Sequence, residues 1–344
     1  MKFGLRIPLL HDPEAEDPFH RTYLLCQEAE AAGFDFVTLT HHSFTPECQT
    51  SAPFVTFAAL AARTRKLRFA TCIFLLPLHH PVAVAEQVAS LDVISNGRAI
   101  LGVGLGYRDY EFEGFGLSLK DRGARANESL TAIRGAWTTG RFNFQGKHFQ
   151  IADLPAVPIP VQQPHPPIWV GGLSEPALNR AARLGDGWIS DNMALLDDVA
   201  TMAETYRTHC AEAGTRPFLV VPRNAGIGHT RAQVTREWFP SAAEFHLGYV
   251  KAYLESGLEI TDPVYLKMLA GESVTVEEFT RDRAIAGTPE DCIRQIAAWR
   301  DRCGADAMLF LLNEELPVDG LVDTVRLFGR EVFPTFTDQS RQSS

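Results

Sequence analysis

Paired cysteines are missing from this chain. Its six cysteines (Cys26, Cys48, Cys72, Cys210, Cys292 and Cys303) are scattered and form no CxxC pair. That excludes a spaced disulfide framework and a zinc knuckle, and fits reduced thiols in a cytoplasmic protein. No apolar run approaches the roughly 20 residues of a membrane span. The opening MKFGLRIPLL reads as a strand, not as a secretion signal. Basic residues are not in excess: 32 Lys and Arg stand against 42 Asp and Glu, a net charge of −10, so the electrostatic footprint of a nucleic-acid binder is absent. Leu5 to Leu10 carries no glycine fingerprint for a dinucleotide. His41 and His42 are adjacent, chelate poorly and have no acidic partner at useful spacing, so no metal site is expected.

What remains is a chain of 344 residues, 45% hydrophobic and 22% charged, the composition of a large-cored globular enzyme. Strand-like segments fall at Lys2–Pro8, Phe36–Leu39, Leu67–Leu76, Ala99–Val103, Pro167–Gly171, Gly187–Ile189, Phe218–Ile227 and Ala307–Leu312. Helical periodicity separates them, at Pro18–Ala32, Pro53–Arg63, Pro81–Ser95, Arg122–Thr139, Glu175–Leu184, Leu195–Ala213, Pro289–Cys303 and Val318–Phe333. Eight strands, each followed by a helix, predict an α/β fold: a (β/α)8 TIM barrel with its chemistry at the C-terminal ends of the strands. A doubly wound open sheet is the alternative. Residues 1–335 form one domain on this reading, and 336–344 a disordered tail. Phe142 to Pro166 predicts a hairpin or extended loop. His229 to Ile285 is too long for a simple connection and reads as a mostly helical, aromatic insertion after the seventh strand, either a lid or decoration on the barrel wall.

Chemistry-bearing residues gather at the predicted strand ends. His41 and His42 follow the second strand, and an imidazole can pass protons at neutral pH. Strand alternation lets only one of them face the mouth. Gly104 and Gly106 close the fourth strand, where backbone can approach a ligand. Gly171, Gly172 and Ser174 lead into a helix whose first N–H groups attract anions. Trp188 either closes a ligand's edge or plugs the core. Asp92, one turn after Val88, needs a partner when buried, and Arg98 is the candidate.

In four places the chain resembles the bacterial-luciferase-like flavin-dependent monooxygenases: Leu39-Thr40-His41-His42; Pro77-Leu78-His79-His80-Pro81 with Ala85-Glu86-Gln87; Leu91-Asp92, Ser95, Gly97-Arg98 and Gly102-Val103-Gly104; and Val170-Gly171-Gly172-Leu173-Ser174 with Gly185-Asp186-Gly187-Trp188. The resemblance spans most of residues 1–335. It implies reduced FMN, or a deazaflavin in one branch, at the C-terminal face of a barrel. It implies dioxygen and a small organic substrate such as an aldehyde or ketone. It implies His41 as the acid–base near the flavin with His42 beside it, a cis peptide at Cys72-Ile73 lying against the flavin ring, and a homodimer. Leu105 stands where the luciferases have a phosphate-holding arginine; Arg108 is the possible substitute. Without a nicotinamide fingerprint, reduced flavin is expected from a separate reductase. The rival readings are hydride transfer on a deazaflavin and a non-catalytic flavin binder.

Overall fold

The computed structural model describes residues 1–10, 16–45, 50–255, 259–314 and 316–337, with the side chains of 252, 253 and 255 also outside the description. The expected thiol of Cys48, the aromatic side chain of Tyr253 and the tail from 338 onward therefore lie outside the described residues. Eight parallel strands form the barrel: β1 (Lys2–Arg6), β2 (Phe36–Leu39), β3 (Arg68–Thr71), β4 (Ala99–Gly104), β5 (Ile168–Gly171), β6 (Gly187–Ile189), β7 (Leu219–Ile227) and β8 (Ala307–Leu311). Each pairs with the next, and β8 pairs with β1, so the sheet closes on itself.

The period of two along the strands sorts the side chains into two cores. Phe36, Ala70, Ile100, Trp169, Ile189, Val220, Ala307 and Leu309 fill the interior, with Phe36 and Trp169 edge to face at 5.2 Å. Leu101, Val103, Val170 and Trp188, on alternate positions, pack outward against the helices. The helix Pro81–Ser95 shows how local sequence sets these boundaries. Pro81 opens it, His80 Nδ1 accepts the Val82 N–H at 3.3 Å, and Asn96 ends it at φ 59°.

Several expectations are corrected. The third strand stops at Thr71 and resumes at Phe74–Leu75; the Cys72-Ile73 peptide between them is cis, as the resemblance implies. Ala284–Gly287, which straddles the expected end of the insertion at Ile285, is a strand that pairs with the C-terminal half of β7. The last helix runs to Thr337, and Phe336 is buried, so order extends beyond 335. Asp92 and Arg98 are both buried but do not bond each other. Asp92 accepts the N–H groups of Ala99, Val161 and Gln162 and the Gln162 amide. Arg98 instead donates to the carbonyls of Ala61, Thr64, Leu67 and Ser95, gathering the C-terminal end of the helix Pro53–Arg63.

The segment after the fourth helix folds as a hairpin, Arg141–Gln145 with Gln150–Pro155. The insertion after β7 supplies the helices Arg231–Glu237, Phe239–Glu255, Pro263–Leu269 and Val276–Thr280. Phe245, from the second of these, packs with Cys72 and Ile73 against the barrel interior. The insertion therefore sits over the mouth and not merely on the wall. Among the described residues no helix is long and apolar enough to cross a membrane.

Candidate functional site at the barrel mouth

Ile73 is wedged between two strand-end glycines. A Cβ on Gly104 would lie 1.8 Å from Ile73 Cδ1, and one on Gly171 would lie 3.2 Å from its Cγ2. The glycines thus make room for a side chain, which leaves the Cys72-Ile73 segment as a ledge between β3, β4 and β5. Gly106, at φ +77°, turns the chain away from β4. Cys72 sits among apolar side chains that push its thiol up to about 12, against the pull of the Arg6 charge, so it is a neutral wall at cellular pH.

Beside the ledge, Gly171-Gly172-Leu173-Ser174 leads into the helix Glu175–Leu184. Gly172 takes φ +141°, and a Cβ there would strike Ala177 at 2.7 Å, so only glycine fits this turn. Ser174 occupies the cap position, but its side chain makes no capping bond. Trp188 does not reach the mouth. It is fully buried in the outer core, and its indole N–H donates to the Gly172 carbonyl at 2.8 Å. It braces the turn from behind, because its place on β6 points it outward.

The two histidines divide as strand alternation requires, but not as the resemblance implies. His41 is 1% exposed. Its Nδ1 accepts the Leu75 N–H at 3.1 Å, and its ring stacks on Phe74 at 4.5 Å. Burial, with His79 and His42 nearby, lowers its pKa to about 3. It is a neutral ring protonated on Nε2, fastened into the wall. His42 is 21% exposed at the side chain, and its Nδ1 lies 3.1 Å from Glu111 Oε1. Glu111 is fully buried and also accepts the Ser43 N–H at 2.8 Å. A carboxylate accepts only, so His42 carries its proton on Nδ1 and keeps Nε2 as an acceptor. Burial and the Arg108 charge lower the His42 pKa, and Glu111 opposes them.

Glu111, on the short helix Asp109–Gly114, was not anticipated. Arg108 bonds Thr45 Oγ1 and the Tyr110 hydroxyl, both at 2.9 Å, so it belongs to the rim near His42. Among the described residues no group of three His, Cys, Asp or Glu could hold a metal ion.

Residues 1–306 match the family model described as luciferase-like monooxygenase. The chain belongs to that family, and is an enzyme of the flavin-dependent monooxygenase class. It is 24% identical over 321 residues to the oxygenase component of the flavin-dependent trigonelline monooxygenase of Acinetobacter baylyi, covering 91% of this chain and 89% of that protein. It is 33% identical over 146 residues to the uncharacterized protein y4wF of Sinorhizobium fredii, covering 42% of this chain and only 43% of that one. The crystal structure of monooxygenase RslO1 from Streptomyces bottropensis superposes with a TM-score of 0.80 at 24% identity, over 98% of this chain and 100% of that chain; this likeness speaks to the fold.

Proposed function

We propose that the chain is the oxygenase half of a two-component system, taking reduced FMN from a separate reductase and using dioxygen on a small organic substrate such as an aldehyde or ketone. The observation that carries this is the juxtaposition, at one mouth, of the Ile73 ledge and the Gly172–Ser174 turn with its uncommitted hydroxyl. Gly171, Gly172 and Ser174 would hold the phosphate at the helix start. Cys72 and Ile73 would support the ring system, with Gly104 seating the ledge. Bound there, reduced FMN supplies the electrons for oxygen activation.

The chain's own residues do the rest. His42 moves protons at Nε2, with Glu111 fixing its tautomer and orientation. His41 holds the wall behind it and does not exchange protons near neutrality. Phe245 and Tyr249, from the insertion, keep water from the mouth. That the Acinetobacter baylyi relative is an oxygenase component supports the separate reductase. A homodimer in the cytoplasm completes the reading, and sedimentation of the purified chain tests the first part of it.

The deciding experiment titrates the protein with FMN and, in parallel, with a deazaflavin, following quenching of cofactor fluorescence. FMN is expected to bind and Ser174→Ala to weaken it. Preference for the deazaflavin would shift the assignment to hydride transfer. Binding of neither would overturn the reading.

A further inference from the structure

Arg6 is the charge at the C-terminal end of β1, after the apolar run Phe3–Leu5. It ends β1, so its side chain stands at the mouth, where it is 16% exposed. A guanidinium has five N–H donors in a planar fork. Here Nη2 donates to Glu314 Oε1 at 2.5 Å, while Nε is buried without a partner. The guanidinium carbon lies 5.6 Å from the centre of the Phe245 ring, which, like Cys72 and Ile73, packs against the interior core. Its charge is felt at the Cys72 thiol and at the Tyr249 phenol. Arg6 therefore looks into the chamber between the ledge and the lid.

The other charges near that chamber are spent differently. Glu111 is tied to His42 and Ser43. Asp191 accepts the Met193 and Ala194 N–H groups. Arg108 is turned to Thr45 and Tyr110. Glu314, the partner of Arg6, is 46% exposed on the loop after β8. One edge of a cation is buried without a partner at the mouth, and its counter-ion is 46% exposed.

We propose that Arg6 is a specificity-determining residue that binds a carboxylate on the organic substrate, with Glu314 standing in for that carboxylate when the chamber holds no substrate. The proposal rests on the flavin-site reading above and narrows its substrate class to small organic acids bearing a further oxidisable group. Carboxylate is the matching anion because two parallel N–H···O bonds suit the planar fork. Phe245 stacked over the guanidinium excludes water on one side and strengthens the charge-assisted bonds.

Glu314 gives the proposal a signed test. If it competes for Arg6, removing its charge must improve binding of an added carboxylate. The full-length protein, with and without FMN, is titrated calorimetrically with acetate and benzoate, and with benzamide as the neutral match for benzoate. At least one carboxylate is expected to bind, with benzamide no tighter than about one-tenth of benzoate. Arg6→Met should weaken carboxylate binding about tenfold or more, Arg6→Lys should recover part of it, and Glu314→Gln should tighten it about threefold or more. Thermal melts confirm that the variants fold, and Glu314→Gln serves if Arg6→Met does not.

Equal binding of benzamide and benzoate, indifference to Arg6→Met, or unchanged or weaker binding in Glu314→Gln would overturn the proposal. So would a protein that binds FMN and neither carboxylate. A protein that binds carboxylate through Arg6 but not FMN would keep the anion site and overturn the flavin reading instead.

Discussion

Glu111 Oε1 sits 3.1 Å from His42 Nδ1 and 2.8 Å from the Ser43 amide nitrogen, so one buried carboxylate fixes both the ring and the backbone beside it. The consequence is directional. Glu111 favours the charged imidazole, while burial and Arg108 disfavour it. Glu111→Gln removes the one influence that raises the His42 pKa. The acid limb of the pH–rate profile should then move to lower pH, and turnover should fall by about 10²-fold as the ring loses its fixed tautomer. Proton NMR titration of the His42 ring, alongside oxygen consumption, checks both parts. A limb that moves to higher pH would remove Glu111 from this role.

Much of this arrangement was legible in the sequence. The alternation of twofold and 3.6-fold hydrophobic periods placed eight barrel strands, and proline and Asn-Gly signals bounded Pro81–Ser95 to the residue. Ala284–Gly287 was not legible as a strand, because four residues carry little periodicity and their pairing partner lies on β7. The order of His41 and His42 depends on which way the chain turns after Leu39, and pattern alone does not settle that. Glu111 lies 69 positions from His42; the only signal was an acidic residue soon after a glycine-ended strand. Arg6 had a clearer one, as a charge between the apolar runs Phe3–Leu5 and Ile7–Leu10. Trp188 was readable as outward-facing once β6 was in register.

The strand-end glycines should respond unequally. A Cβ on Gly102 would lie 1.8 Å from the Thr71 carbonyl oxygen, a backbone atom fixed in the sheet. The same group on Gly104 would meet the mobile end of Ile73. Gly102→Ala should cost about 3 kcal/mol or more and fold poorly, while Gly104→Ala should cost about 1–2 kcal/mol. Ile73→Ala in the Gly104→Ala background should return most of that loss, because it vacates the same volume. Urea unfolding of the three variants measures this, and equal costs at both glycines would contradict it.

Ser174 and Trp188 should separate contact from support. Ser174→Ala should weaken FMN binding about tenfold while leaving the melting temperature near that of the parent. Trp188→Phe loses the bond to the Gly172 carbonyl and part of the outer core. It should lower both FMN affinity and stability, the latter by about 1–3 kcal/mol. Fluorescence titration and calorimetry on the pair distinguish the roles. A Ser174→Ala protein with unaltered affinity would move the phosphate site elsewhere.

Acid should unfold the protein through its buried histidines. Burial lowers His41, His79 and His246 to about 3, 4 and 3 from an ordinary 6.5. The folded state therefore keeps them neutral where the unfolded chain protonates them. Stability from this source is present above about pH 6.5 and is lost as pH falls toward 4. Near pH 5 these groups alone add nearly three protons on unfolding, a slope of roughly 4 kcal/mol per pH unit. His79 offers the cleanest check, since its ring lies among Phe74 and Phe115 and its Nε2 is buried without a partner. His79→Phe should leave stability at pH 7.5 nearly unchanged and reduce the acid slope by about one proton. It should make the variant more stable than the parent at pH 5. Urea midpoints at several pH values read the slope directly, and an unchanged slope would mean that His79 takes up its proton in the folded state.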